Sequence, residues 1–99
     1  MKTQILAIGG SNSRNSINKT LASYAASLIE SAEVRIADLN DFELPLYSSD
    51  IEKASGIPEN AVKFIELISS ADGIVLSLAE HNGSFSAAFK NIFDWMYSA

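Results

Sequence analysis

The sequence predicts an α/β fold in which helices cover a parallel β-sheet. Three observations predict it. Runs of strand character at residues 4–8, 33–39 and 73–79 alternate with stretches of helical periodicity, giving the order β-α-β-α-β-α. That order requires parallel strands joined by right-handed crossovers, with the helices on the sheet faces. The first run, QILAI, is continuously apolar, as suits a strand buried on both faces. It leads directly into GGSNSRNSINK, residues 9–19, which holds two glycines, three serines, three asparagines and an arginine. A turn needs only two or three such residues. In a doubly wound sheet, ligands bind beyond the carboxyl ends of the strands, where the strand order reverses, and this loop stands at such an end.

Each element has its own signal. Ile17, Leu21, Tyr24, Ala25, Leu28 and Ile29 recur at the spacing of one helix face, which is expected to pack on the sheet. Ser16 precedes them as a candidate N-cap. In residues 33–39, Val34 and Ile36 alternate with Arg35, the pattern of a half-exposed edge strand. LPLYSSDIEKASG, residues 44–56, reads as irregular and is punctuated by Pro45 and Gly56. Pro58 suits the first turn of a second helix, with Ala61, Val62, Ile65 and Ile68 on its buried side. GIVLSLA, residues 73–79, is the third strand. Ser84 is the candidate cap of a third helix, whose apolar stripe is Phe85, Phe89, Ile92, Phe93 and Met96. No repeat, low-complexity segment or linker divides the sequence, so residues 1–99 are expected to form one domain.

Composition narrows the function classes. The apolar fraction of 47% is that of a globular chain. Net charge is −5, with the acidic residues scattered, so neither nucleic acid nor an anionic membrane is expected as a partner. No apolar run approaches the roughly 18 residues of a bilayer span. The start, MKTQILAIGG, has too short an apolar run for a secretory signal, and a cytoplasmic setting is expected. With no cysteine and one histidine, neither a disulfide framework nor a metal site is expected. Asp38, Asp41 and Glu43 read as a solvated acidic loop. No Ser/His/Asp or paired-carboxylate constellation is evident, so no side chain is expected to act as nucleophile or base.

The chemistry of the first loop points to an anion. A helix N-terminus offers unpaired N–H groups and a partial positive charge, and it holds phosphate readily. Ser11, Ser13, Ser16 and Asn18 add hydroxyl and amide groups, and Arg14 adds a charge. The loop is not GxGxxG and lacks the Gly-Lys-Ser/Thr ending of a nucleotide triphosphate loop. A phosphate monoester that is bound without being cleaved fits better. A capped turn with a solvated arginine is the plainer reading of the same residues.

Three stretches taken together are more specific. GGSNSRNSIN, then LPLYSSD, then AEHNGSFSAAFKNIFDW resemble, in order and across the whole chain, the NAD(P)H-dependent FMN reductase family of flavodoxin-like proteins. The resemblance implies a flavodoxin-like, doubly wound parallel sheet, of which this chain carries three strands in the order 2-1-3 with three helices. It implies an FMN-dependent oxidoreductase with FMN and NADPH or NADH as cofactors. Hydride would pass to the flavin, and electrons then to a flavin, a quinone or a similar small-molecule acceptor. Ser11, Arg14, Ser16 and Asn18 would hold the FMN phosphate, with Ser13 in the family's usual arginine position. Glu80, His81, Asn82 and Gly83 would line the isoalloxazine, their backbone N–H groups near its redox-active edge. A truncated, non-catalytic flavin-binding or assembly module of the same fold is the alternative.

The sequence departs from the family pattern in four ways. Ala79 replaces a proline, which removes a fixed φ from the flavin loop. His81 replaces a tyrosine, giving a smaller ring that can become cationic. Arg14 stands one residue later than usual. The family fold also has five strands, so the third strand here is expected to leave an apolar edge, a pairing hazard. Either the sequence is a fragment or another chain covers that edge. A homodimer through the third strand, the third helix or both is expected.

Overall fold

β1 (Thr3–Gly10) forms the centre of the sheet in the computed structural model, which describes residues 2–99. β2 (Ala32–Asp38) flanks it on one side and β3 (Gly73–Leu78) on the other, both parallel to it, in the order β2-β1-β3. Between β1 and β2 runs α1 (Ile17–Ser27). A 3-10 turn (Leu39–Phe42), α2 (Ser49–Ser55) and α3 (Glu59–Ser69) connect β2 to β3. A small hairpin, β4 (Glu80–His81) with β5 (Ser84–Phe85), and α4 (Ala87–Ser98) follow. The sheet order and parallel pairing are those the sequence implied.

Alternation along β1 divides the core into two layers. Ile5 and Ala7 face α1 and pack with Ala22, Ala26, Val34 and Val75. Leu6 and Ile8 face the other way, against Phe64 of α3 and Ile92 of α4. α1 and the α3–α4 pair therefore lie on opposite faces of the sheet.

α1 departs from expectation in its rotation. The face that meets the sheet carries Ala22 and Ala26, whereas Ile17, Leu21, Tyr24 and Leu28 point to solvent, with Ile17 80% exposed. At 100° per residue the two sets lie on opposite sides of the helix. The cause is close approach. A Cβ on Gly9 would lie 2.5 Å from the Lys19 backbone nitrogen, so α1 begins pressed against the end of β1. Side chains of alanine size fit beneath a helix held that near, and leucines do not.

Other expectations shift for local reasons. α3 buries Ala61 and Phe64, while Val62 is exposed. Pro58 occupies the N-cap position of α3, one residue ahead of its first turn. The stretch read as irregular contains α2, whose cap Ser48 accepts from the Asp50 and Ile51 amides. Gly56, at φ +77°, ends it in a backbone conformation that glycine adopts freely. Ser84 does not cap α4, because Ser84 and Phe85 form β5. Ser86 caps it, accepting from the Phe89 amide at 3.1 Å. In α4, Ile92 and Trp95 are buried and Phe93 is exposed.

β3 is an edge strand of this sheet. Ile74, Leu76 and Leu78, on the face that carries Leu6 and Ile8, are 40–46% exposed. Among the described residues, no strand pairs with its outer edge.

Candidate functional site

The loop from Ser11 to Ser16 leaves β1 at the carboxyl end of the sheet. It turns tightly at its start, where the Ser11 amide donates to the Gly9 carbonyl at 2.9 Å. The Ser13 amide then donates to Ser11 Oγ at 3.0 Å. Ser16 closes the loop as the N-cap of α1, its Oγ accepting from the Lys19 amide at 3.1 Å. Ser11 and Ser16 are buried, whereas Ser13 and Arg14 are exposed. Asn18, in the first turn of α1, accepts at Oδ1 from Ser77 Oγ of β3 at 2.8 Å.

Much of this loop's donor capacity is unspoken for. Among the described residues, the amides of Asn12, Arg14, Asn15, Ser16, Ile17 and Asn18 donate to no protein acceptor. The Arg14 guanidinium makes neither a hydrogen bond nor an ion pair with any described residue. A helix N-terminus with open amides attracts anions. A cleft of about 340 Å³ opens beside the loop, lined by Asn12, by Leu39, Asn40, Phe42, Glu43 and Leu44, and by Ala88, Asn91 and Ile92 of α4.

The second expected loop lies next to the first. The Gly10 carbonyl accepts from the Ala79 amide at 3.3 Å and from Ser86 Oγ at 2.8 Å. Ser86 thus ties the end of β1 to the start of α4, a role its polar neighbours in the sequence hide. Glu80, His81, Asn82 and Gly83 form the β4–β5 hairpin and its turn. Asn82 and Gly83 both have positive φ, at 53° and 84°, as a two-residue I′ turn requires. The Gly83 amide donates to the Glu80 carboxylate, so this N–H is occupied within the turn. All four residues are exposed.

The loop after β2 is built differently. Asp38 accepts from Lys19 Nζ at 2.9 Å and from the Asn40 amide at 2.9 Å. The Lys19 hydrogen bond holds the Asp38 carboxyl below its ordinary pKa, with help from Asn40 and against a smaller desolvation effect. Farther along, Asn91 of α4 grips the chain at both ends of its amide. Its Oδ1 accepts from the Tyr47 amide at 2.7 Å, and its Nδ2 donates to the Pro45 carbonyl at 3.1 Å. Trp95 Nε1 donates to the same carbonyl at 2.8 Å, and the Tyr47 ring meets Trp95 edge to face. The Tyr47 hydroxyl donates to Glu52, and this bond raises the Tyr47 pKa. Pro45 and Tyr47, in a stretch whose composition reads as irregular, are therefore strapped to α4.

Among the described residues, no group of three His, Cys, Asp or Glu side chains could hold a metal ion. No described helix is long and apolar enough to cross a membrane.

Comparison with known proteins gives a consistent picture. The family model described as NADPH-dependent FMN reductase matches residues 3–99. A 2-hydroxy-1,4-benzoquinone reductase from a Burkholderia species is 38% identical over 96 residues, covering 96% of this chain and 50% of that protein. A quinone reductase of Escherichia coli K12 is 34% identical over 100 residues, with coverages of 96% and 50%. Among solved structures, the flavoenzyme NAD(P)H:(acceptor) oxidoreductase FerB from Paracoccus denitrificans matches with a TM-score of 0.70 at 27% identity. It is covered over 50% of its length by 96% of this chain. The chain spans about half the length of the curated relatives it matches.

Proposed function

The chain belongs to the NADPH-dependent FMN reductase family, and from that membership we propose that residues 11–18 and the β4–β5 hairpin bind FMN for NAD(P)H-dependent reduction of a quinone or similar small acceptor. The observation that carries the proposal is the set of open amides at residues 12 and 14–18, joined by the unpaired Arg14 guanidinium. A phosphate dianion matches that donor set, because each oxygen accepts two or more hydrogen bonds and the charge favours the helix N-terminus.

When bound, FMN supplies the hydride-accepting and electron-donating chemistry. The chain supplies position. Ser11 and Ser16 shape the loop from buried sites, Ser11 Oγ accepting from the Ser13 amide and Ser16 Oγ from the Lys19 amide. Arg14 and Ser13, both exposed, would contact the phosphate, and Asn18 would add an amide donor. Glu80, His81, Asn82 and Gly83 form the wall for the isoalloxazine, held beside the phosphate loop by the contacts of Ala79 and Ser86 with Gly10. NADPH or NADH delivers hydride in this reading, and the cytoplasm is the compartment that suits it.

The exposed Ile74, Leu76 and Leu78 support a second reading. In it the chain is a non-catalytic flavin-binding or assembly module that associates through β3, α4 or both, most simply as a homodimer. Titration of the chain with FMN and with riboflavin, followed by quenching of flavin fluorescence, tests the site. FMN is expected to bind more tightly, and equal affinities would refute it. Anaerobic addition of NADPH or NADH separates the readings, since only the first bleaches the flavin absorbance. Sedimentation with FMN present tests the association: a soluble monomer would refute it.

A further inference from the structure

β3 reads GIVLSL, and Ser77 is its one polar side chain. Packing alone favours an apolar residue there. The register sets Ser77 beside Gly9, on the sheet face that α1 covers. Gly9 lacks a side chain where the Lys19 backbone passes over it, so the first turn of α1 rests directly on this point of the sheet. Asn18, one residue before Lys19, thereby comes within reach, and Ser77 Oγ donates to Asn18 Oδ1 at 2.8 Å.

An asparagine amide has two ends of nearly equal size and opposite character. Its oxygen repels an anion, and its nitrogen donates to one. We propose that Ser77 is a positioning residue for the phosphate loop, occupying the Asn18 oxygen so that Nδ2 is the end left for the phosphate. Among the described residues, Asn18 Nδ2 has no protein acceptor, so it is free to donate to a ligand. The inference rests on the phosphate-loop reading above and adds to it a residue from the neighbouring strand. It also explains a hydroxyl in an otherwise apolar strand.

The test measures FMN and riboflavin affinity by fluorescence quenching for the chain and for S77A, S77T, N18A and the S77A/N18A pair. S77A is expected to weaken FMN about three- to tenfold, the span of one neutral hydrogen bond, and to leave riboflavin within about twofold. S77T keeps the hydroxyl and restores FMN affinity to within about twofold. In the N18A background, S77A adds less than about twofold, because its effect passes through Asn18. An equal loss for FMN and riboflavin, an unchanged FMN affinity, or a full loss persisting in N18A would each overturn the role of Ser77. Those results leave the parent chain's preference for FMN over riboflavin intact. A parent chain with no such preference would overturn the phosphate-loop reading and this inference together.

Discussion

The loop after β1 and the loop after β2 leave neighbouring strands at the same end of the sheet, and both are rich in polar groups. They differ in where those groups go. After β2, Pro45 and Tyr47 give their backbone groups to Asn91 and Trp95 of α4, and the Tyr47 hydroxyl goes to Glu52. After β1, the amides of Asn12 and of residues 14–18 find no partner among the described residues. A satisfied loop is part of the scaffold, whereas an open one leaves its donors to water or to a ligand. Counting polar residues would not separate them. Tracing each donor to its acceptor does.

Breaking the strap should give the largest effect, and it should be one of stability. Trp95 is fully buried and bonds to the Pro45 carbonyl. Trp95→Ala is expected to cost about 3–5 kcal/mol, as large core truncations do, and to lower the denaturant midpoint sharply. A loss under about 1 kcal/mol would mean that the loop does not depend on α4.

The open loop should behave oppositely. Arg14→Ala removes a side chain with no partner in the folded chain, so the thermal midpoint should hardly move. FMN affinity should fall by about 1.5–3 kcal/mol, the range for charged hydrogen bonds, while riboflavin is unaffected. Equal losses for the two ligands would remove Arg14 from the phosphate site.

The smallest effect belongs to the contact between Lys19, in the first turn of α1, and Asp38, at the end of β2. The hydrogen bond from Lys19 holds the Asp38 carboxyl below its ordinary value of 3.8 in the folded chain. Its stabilisation is therefore present above pH 3.8 and is lost as pH falls through the lower folded value. The pair is partly solvated, so solvent screening limits it to less than about 1 kcal/mol. Asp38→Asn should lower neutral stability by less than about 1 kcal/mol and flatten the acid limb, the two profiles converging at acid pH. An unaltered acid limb would show that the pair contributes nothing.

The order of strands and long helices was legible because β1 is a short continuous apolar run ending in glycines and α3 repeats apolar residues at helical spacing, although the face α3 buries holds Phe64 and not Val62. The inward face of α1 was not, because both of its faces carry apolar residues. The stripe at Ile17, Leu21, Tyr24 and Leu28 outweighs Ala22 and Ala26 on any hydrophobic scale. Only the close approach at Gly9 selects the alanines. α2 has just seven residues, too few to show a period. The hairpin carried a usable sign in Asn82-Gly83, a pair that favours the I′ turn. The strap from Asn91 and Trp95 to Pro45 joins residues more than forty apart, and no local pattern encodes it. The expected site residues lie in two adjacent loops; of the hydroxyls that hold them, Ser77 stood outside the motifs, and Ser86 lay inside the third motif, two residues past the expected cap Ser84.

The central place of β1 also bears on how the chain assembles during translation. Its most apolar segment emerges before either neighbour has been made. Ile5 pairs with Val34 on one side and with Gly73 on the other. At roughly 5–20 residues per second, the second partner follows the first by about 2–8 s. Hydrophobic collapse takes microseconds, so a half-paired QILAI strand persists long on the chain's own timescale. In that interval the nascent chain presents the edge a chaperone would shield, and growth through β3 closes it.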